Sequence, residues 1–284
     1  MLPNITNAVW TRLERVAFIK SAILCLPLMV CLFVLGCRST PVSGRKQVLL
    51  VPEQQEIQMG AQAYTEILSK ETRSANPRFE ELVNRVGQRI AEVVNRPDFQ
   101  WEFTVVQSKE MNAFALPGGK VCIYEGLLPI CEDEAGLAVV MSHEVAHVIA
   151  RHGSERMSHE MIAQGAGKAL DIFTDELTVE EQAIWKKAYG LGSQYGVILP
   201  YSRKHEMEAD VIGVKLMAEA GYDPSAAVEF WERFAAAKGG EQQPEWLSTH
   251  PSDGSRAAAL REELPNALTI YSKAQRKSGL GERL

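Results

Sequence analysis

The stretch that decides the reading is Val140-Met141-Ser142-His143-Glu144-Val145-Ala146-His147-Val148-Ile149. In a helix, residues four apart stand one above the other, so His143 and His147 present two imidazoles on one face. That is the spacing a tetrahedral zinc ion accepts from one helix. Glu144, beside His143, reaches the same point from the side and suits a general base toward a water that the metal activates. No charge occurs from Leu137 to Ser142 or from Val145 to Ala150. Such flanks belong to a buried helix, where polar side chains need partners, and a metal supplies them. The competing reading, two ordinary helix histidines beside a glutamate, turns on whether the chain offers a third ligand.

Position 153 is glycine, which excludes the peptidase class that takes a third histidine six residues after His147. His152 follows His147 by five and so rotates off the ligand face; beside Arg151 it suits a positive charge at a helix C-terminus. His159 opens a second His-Glu pair, yet Ala163 stands where its second ligand is required, and it reads as a solvated helix residue. The run Ser202-Arg203-Lys204-His205-Glu206-Met207-Glu208-Ala209-Asp210 is the better source. Glu206 and Asp210 lie one turn apart on a helix that continues through Val214, Leu216 and Met217. Glu206 completes three protein ligands and leaves a fourth position for water. Asp210 can accept a hydrogen bond from the far nitrogen of a ligand histidine and fix its tautomer, whereas Glu208 points elsewhere. Taken alone, the run reads equally well as a charged surface turn; beside the His143 motif it reads as a ligand helix. One zinc ion per chain is the expectation.

The rest of the chain limits what that site belongs to. A formal net charge of −6 over 284 residues gives no field for phosphate backbones, so nucleic acid is not an expected partner. At the N-terminus, Arg12, Arg15 and Lys20 precede an apolar run from Ala22 to Gly36 that is too short for a transmembrane helix and fits an export signal. Val34-Leu35-Gly36-Cys37 resembles a bacterial lipoprotein cleavage box, with Cys37 as the lipidated residue; the bulk of Leu35 keeps an uncleaved anchor as the alternative. The expected division is a signal peptide over 1–36, a linker over 37–52 and a metallopeptidase domain over 53–284. Cys122 and Cys131 could pair in an oxidising compartment or stand as two buried free thiols.

Periodicity predicts a mainly helical chain with a small β-sheet, an α+β domain. Strands are expected at 48–51, 101–105 and 120–124, the last after the Pro117-Gly118-Gly119 turn. Helices are expected at 52–70, 77–94, 133–152, 154–171, 178–196, 202–220, 224–238 and 253–264. Thr178 with Glu181 forms a capping-box pattern, and Gly239 to Pro244 reads as a flexible loop leading to His250.

On these residues the sequence resembles the HtpX and CAAX-prenyl-protease type family of zinc peptidases, which has a gluzincin-like domain, and within it the soluble bacterial lipoprotein members and the mitochondrial Oma type. The resemblance runs through Gly44-Arg45-Lys46-Gln47, Gln55-Glu56 to Gly60, Asn112-Ala113-Phe114-Ala115 with Pro117-Gly118-Gly119, His143 to His147, and Ser202-Arg203 with Glu206 to Asp210. It implies Glu206 as third zinc ligand. It also implies that Asn112, Ala113, Phe114 and Ala115, otherwise a loop, form an edge on which an extended substrate pairs as an added strand. His250, with Arg256 six residues later, is implied as a pair that stabilises the oxyanion of peptide hydrolysis. Alternatively, His250 itself takes the fourth zinc position, or is a plain surface residue. No apolar run after residue 36 is long enough to cross a membrane, so a membrane-embedded substrate is not expected.

The activity implied is endopeptidase cleavage of unfolded or misassembled envelope proteins. It would come from a lipid-anchored, periplasm-facing protein of a bacterial envelope, at the outer membrane rather than the inner. The alternative is a zinc-stabilised assembly factor that holds such proteins and seldom cuts them, or a self-inhibited peptidase.

Overall fold

The computed structural model describes residues 37–40, 42–163, 202–237, 246, 250 and 254–284. Strands β1 (Cys37–Ser39) and β2 (Lys46–Val48) form an antiparallel hairpin. Helices α1 (Glu53–Leu68) and α2 (Pro77–Val94) lead into strands β3 (Glu102–Val106), β4 (Ala113–Leu116) and β5 (Lys120–Tyr124), then a 3-10 turn and the short α3 (Leu128–Cys131). The helices α4 (Glu134–Ile149), α5 (His152–Ala163), α6 (Arg203–Glu219), α7 (Ser225–Ala237) and α8 (Gly254–Lys273) complete it. This is the expected mainly helical α+β class.

Local chemistry sets several boundaries. Asn76 Oδ1 accepts from Arg78 N–H ahead of Pro77 at the start of α2, and Asp133 Oδ1 accepts from Gly136 N–H at 2.9 Å at the start of α4. The three-stranded sheet has order β3-β5-β4, with β3 parallel and β4 antiparallel to β5. Gly118 and Gly119 both take φ of 87°, which glycine alone adopts without strain, and so turn the chain from β4 into β5. Gly87 of α2 lets that helix sit on the ring of Phe103 in β3.

Every residue of α4 is buried, so this helix is the axis of the core. Strand β4, α2 and α7 pack around it, and α6 makes its most extensive contact. The α4–α6 approach depends on Gly213, where an added Cβ would lie 3.1 Å from the backbone nitrogen of His143.

The differences from expectation that bear on the site and the core are these. The strand placed at 48–51 lies at 46–48, because its partner is the preceding segment rather than the main sheet. The helix expected over 133–152 stops at Ile149: Ala150 caps it and Arg151 takes φ of 57°, breaking the axis before α5 starts. Helix α8 runs past Pro265 to Lys273; burial of Leu260 on one side of the proline and Ala267 on the other outweighs one lost hydrogen bond. Cys122 and Cys131 are separate, buried, free thiols, so the second of the two cysteine readings holds. The apolar run before residue 37, the segment 164–201 with Thr178 and Glu181, and the Gly239–Pro244 stretch lie outside the described residues.

Gly213→Val forces branched atoms into backbone at the α4–α6 contact. The expected cost is about 1–3 kcal/mol, measured by urea unfolding; a midpoint equal to wild type would mean the helices do not meet there.

Candidate metal centre

Ser202 starts α6, its Oγ accepting from His205 N–H at 3.2 Å, and this phase turns Glu206 and Asp210 toward α4. His143 and His147 of α4 meet them, and His250 enters from outside both helices. The ligand-capable atoms converge. His147 Nε2 is 3.1 Å from His143 Nε2, which is 3.2 Å from His250 Nδ1; that atom is 3.1 Å from Glu206 Oε1, itself 3.4 Å from His147 Nε2. Zinc bonds of 2.0–2.1 Å in a tetrahedron require ligand-to-ligand edges of about 3.3 Å. The four atoms therefore have the spacing of a zinc coordination shell, all on buried residues and all within 4.8 Å of one another. Glu206 Oε1 is the oxygen turned into this shell, while the other, Oε2, is buried against Arg256.

Opposed charge surrounds the shell. Arg256 places Nε and Nη2 each 2.7 Å from one oxygen of Asp210, and its Nη1 is 2.7 Å from Glu206 Oε2, close as an ion pair but off the line of a hydrogen bond. The guanidinium lies over Trp231, 3.6 Å from the ring centre to Cζ. Burial works against charge on Glu206 and Asp210, but Arg256 and the neighbouring imidazoles hold both carboxyls below the usual range. Asp210 Oδ1 is 3.0 Å from His143 Nδ1, the position expected of a residue that orients a ligand histidine. Burial lowers His143, yet Asp210 and Glu206 outweigh it and push this imidazole up to about 9. Burial, outweighing the nearby Glu206 carboxylate, keeps His147 well below 6.5.

Glu144 Oε1 accepts from Trp246 Nε1–H at 2.7 Å, and His250 Nε2 is 3.4 Å from the same oxygen. His250 thus stands at the fourth corner with its other nitrogen toward the candidate base. Arg256, expected beside His250 at a reacting oxyanion, instead grips Glu206 and Asp210. Asn112 lies just before β4, and Ala113, Phe114 and Ala115 lie within it; β4 pairs on one side only, with β5, among the described residues. That leaves an edge of the kind an extended peptide can join.

The sequence reading missed a second buried cluster. His152 is fully buried, its pKa lowered by burial to about 4, and so is not the cation expected at a helix end. Because Arg151 breaks the axis, His152 turns back and its Nδ1 lies 2.9 Å from His147 Nδ1. Its Nε2 is 3.1 Å from Glu208 Oε2, and its ring stacks on His205 at 4.6 Å. Glu155 Oε2 is 3.0 Å from His205 Nε2, and Arg45 joins Glu155 to Glu208. Five of the six histidines therefore belong to one continuous buried network, and His159 is exposed as expected. The sequence signals were faint: Arg45, with its charge in a polar lead, and His152, whose role depends on a helix break.

Comparison with known proteins adds the following. The model of peptidase family M48 matches residues 77–264. The chain is 37% identical over 235 residues to the mitochondrial metalloendopeptidase OMA1 of Schizosaccharomyces pombe, covering 80% of this chain and 66% of that protein. It is 30% identical over 247 residues to human metalloendopeptidase OMA1, covering 81% of this chain and 46% of the relative. To the β-barrel assembly-enhancing protease of Escherichia coli it is 28% identical over 211 residues, 73% of this chain and 43% of the relative. The chain thus spans less than two thirds of the length of these relatives.

Burial raises the Glu155 carboxyl, but His205 and Arg45 overcome it and bring it from 4.5 down to about 2. A carboxylate lowered on folding stabilises fully above its unfolded pKa and loses that contribution as pH falls toward the folded value. Melting of the metal-free chain is therefore expected to fall between about pH 5 and pH 2, with a shallower fall in Glu155→Gln; parallel curves would assign the acid sensitivity to other groups.

Proposed function

The chain belongs to peptidase family M48, a zinc-metallopeptidase family, and on that premise we propose an endopeptidase that hydrolyses internal bonds of unfolded or misassembled proteins of a bacterial envelope. The observation that carries the proposal is the convergence of His143, His147 and Glu206 at tetrahedral zinc spacing, with Glu144 beside them. The resemblance to soluble lipoprotein and Oma-type members narrows it, and relatives named as metalloendopeptidase and as β-barrel assembly-enhancing protease support a role in protein quality control.

His143, His147 and Glu206 would hold a zinc ion, which would supply Lewis acidity toward the scissile carbonyl and the attacking water. Glu144 takes the proton of the attacking water at its carboxylate and later returns it to the leaving amine. Asp210 fixes His143 with Nε2 toward the ligand corner, and Arg256 holds Glu206 and Asp210 in register. The free edge of β4 orients substrate through Asn112 to Ala115 by main-chain pairing.

A specific observation favours a self-capped form of the same enzyme. His250 Nδ1 stands at the fourth corner while Trp246 donates to Glu144, so these two residues together cover the position of the water and the base. His250 then acts as a cap, and access to substrate requires its withdrawal.

Among the described residues no helix is long and apolar enough to cross a membrane. Residues 1–36 are assigned as a cleaved lipoprotein signal and Cys37 as the lipidated residue that attaches the chain, with residues 53–284 as the peptidase domain. A periplasm-facing position at the outer membrane is the corresponding location.

Glu144→Gln is expected to lower cleavage of an unfolded protein by at least about 10²-fold, with zinc staying near one per chain by elemental analysis. Retained cleavage would remove Glu144 as base, and zinc-loaded wild type that never cuts would favour the assembly factor. His250→Ala is expected to raise cleavage; a loss of about 10²-fold or more would instead make His250 an oxyanion donor. Mass analysis of the N-terminal peptide should find a diacylglyceryl-modified Cys37; an intact residue 1–36 segment with an unmodified thiol would indicate an uncleaved anchor.

A further inference from the structure

The two ligand histidines on α4 are supported differently. His143 Nδ1 meets a carboxylate directly, at Asp210, whereas His147 Nδ1 meets another imidazole. With His147 Nε2 turned to the ligand corner, one tautomer set satisfies the observed distances: His147 Nδ1–H donates to His152 Nδ1, and His152 Nε2–H donates to Glu208 Oε2. The carboxylate that orients the second ligand is thus one imidazole removed from it.

Glu208 is itself held from outside the peptidase helices. Its Oε1 accepts from Thr40 Oγ1 at 2.7 Å and from Ser43, and its Oε2 receives Arg45 Nε at 2.5 Å. These three residues lie in the hairpin segment between β1 and β2. Strand β2 of the same hairpin seals the helix break that brings His152 into place, since Gln47 Nε2 donates to the carbonyl of Ala150 at 3.0 Å. Arg151, in its left-handed conformation, is fixed by Glu56 and by the carbonyl of Val51 at 2.8 Å.

We propose that His152 and Glu208 are positioning residues for the zinc ligand His147, and that Arg45 of the N-terminal hairpin holds them, so that this hairpin tunes metal affinity. The proposal rests on the zinc reading above. A carboxylate acting through a hydrogen-bonded imidazole raises ligand basicity and locks its ring, and loss of such partners costs about 10–100-fold in metal affinity. The hairpin is then part of the metal centre rather than a tether.

The test is zinc affinity of the full chain in detergent, by competition with a chelator of known affinity, together with the visible spectrum of the Co²⁺-loaded form. Glu208→Gln and His152→Ala are expected to weaken zinc about 10–100-fold and to shift the Co²⁺ bands. Arg45→Ala, which removes the ion pairs to Glu155 and Glu208, should weaken it in the same direction by a smaller factor. Ile90→Ala, which empties core volume on α2 away from the cluster, should lower the melting temperature while leaving affinity and spectrum at wild-type values. Wild-type affinity in Glu208→Gln and Arg45→Ala would overturn the proposal, as would an equal loss in Ile90→Ala. A wild-type chain that takes up no zinc would instead sink the metal reading on which it rests.

Discussion

Helix α4 is buried on every side and yet carries two imidazoles and a carboxylate at its centre. Desolvating these groups is costly unless each finds a partner, and the rest of the structure supplies those partners. Helix α6 must come close enough to bring Glu206 and Asp210 to His143 and His147, and Gly213 removes the Cβ that would hold it off. The two carboxylates then need positive charge, which Arg256 gives from α8 with Trp231 against its face. The sheet and α2 pack on other sides of α4 and keep the axis fixed. The site is therefore the condition on which the helical core is arranged.

A second consequence follows from where α4 ends. A longer helix would carry residue 152 away from the histidine face. The left-handed turn at Arg151 is unfavourable for a side chain with a Cβ, and persists because buried contacts from Glu56, Val51 and Gln47 over-determine it. That turn places His152 against His147 and brings α5 back toward the hairpin. Two buried ion networks result: Asp210 with Arg256 behind His143, and Glu208 with Arg45 behind His152, which in turn backs His147. Each joins α4 to a different part of the chain, one to its C-terminal helix and one to its N-terminal hairpin.

Much of this was legible in the residues themselves. The i, i+4 histidines, the glutamate between them and the uncharged flanks identify a buried metal helix, because helical geometry is local and fixed by spacing alone. The caps at Asn76, Asp133 and Ser202 and the glycines after Pro117 likewise act within a few residues, so most helix starts and the β4–β5 turn could be read directly. Glu206 was legible only as a candidate, since nothing in spacing states that two helices sixty residues apart will touch. Asp210 followed from it by one helical turn.

The sequence by itself determined the chemistry available: two imidazoles on one face, a base beside them and a carboxylate pair one turn apart. Tertiary structure decided what that chemistry is connected to. It set His250 against Glu206, brought Arg256 onto Glu206 and Asp210, and made His152 a buried neutral link instead of a surface cation. The reason is that periodicity reports which side chains share a face, whereas burial, charge state and hydrogen-bond partners depend on segments far apart in the chain that meet only when the core closes.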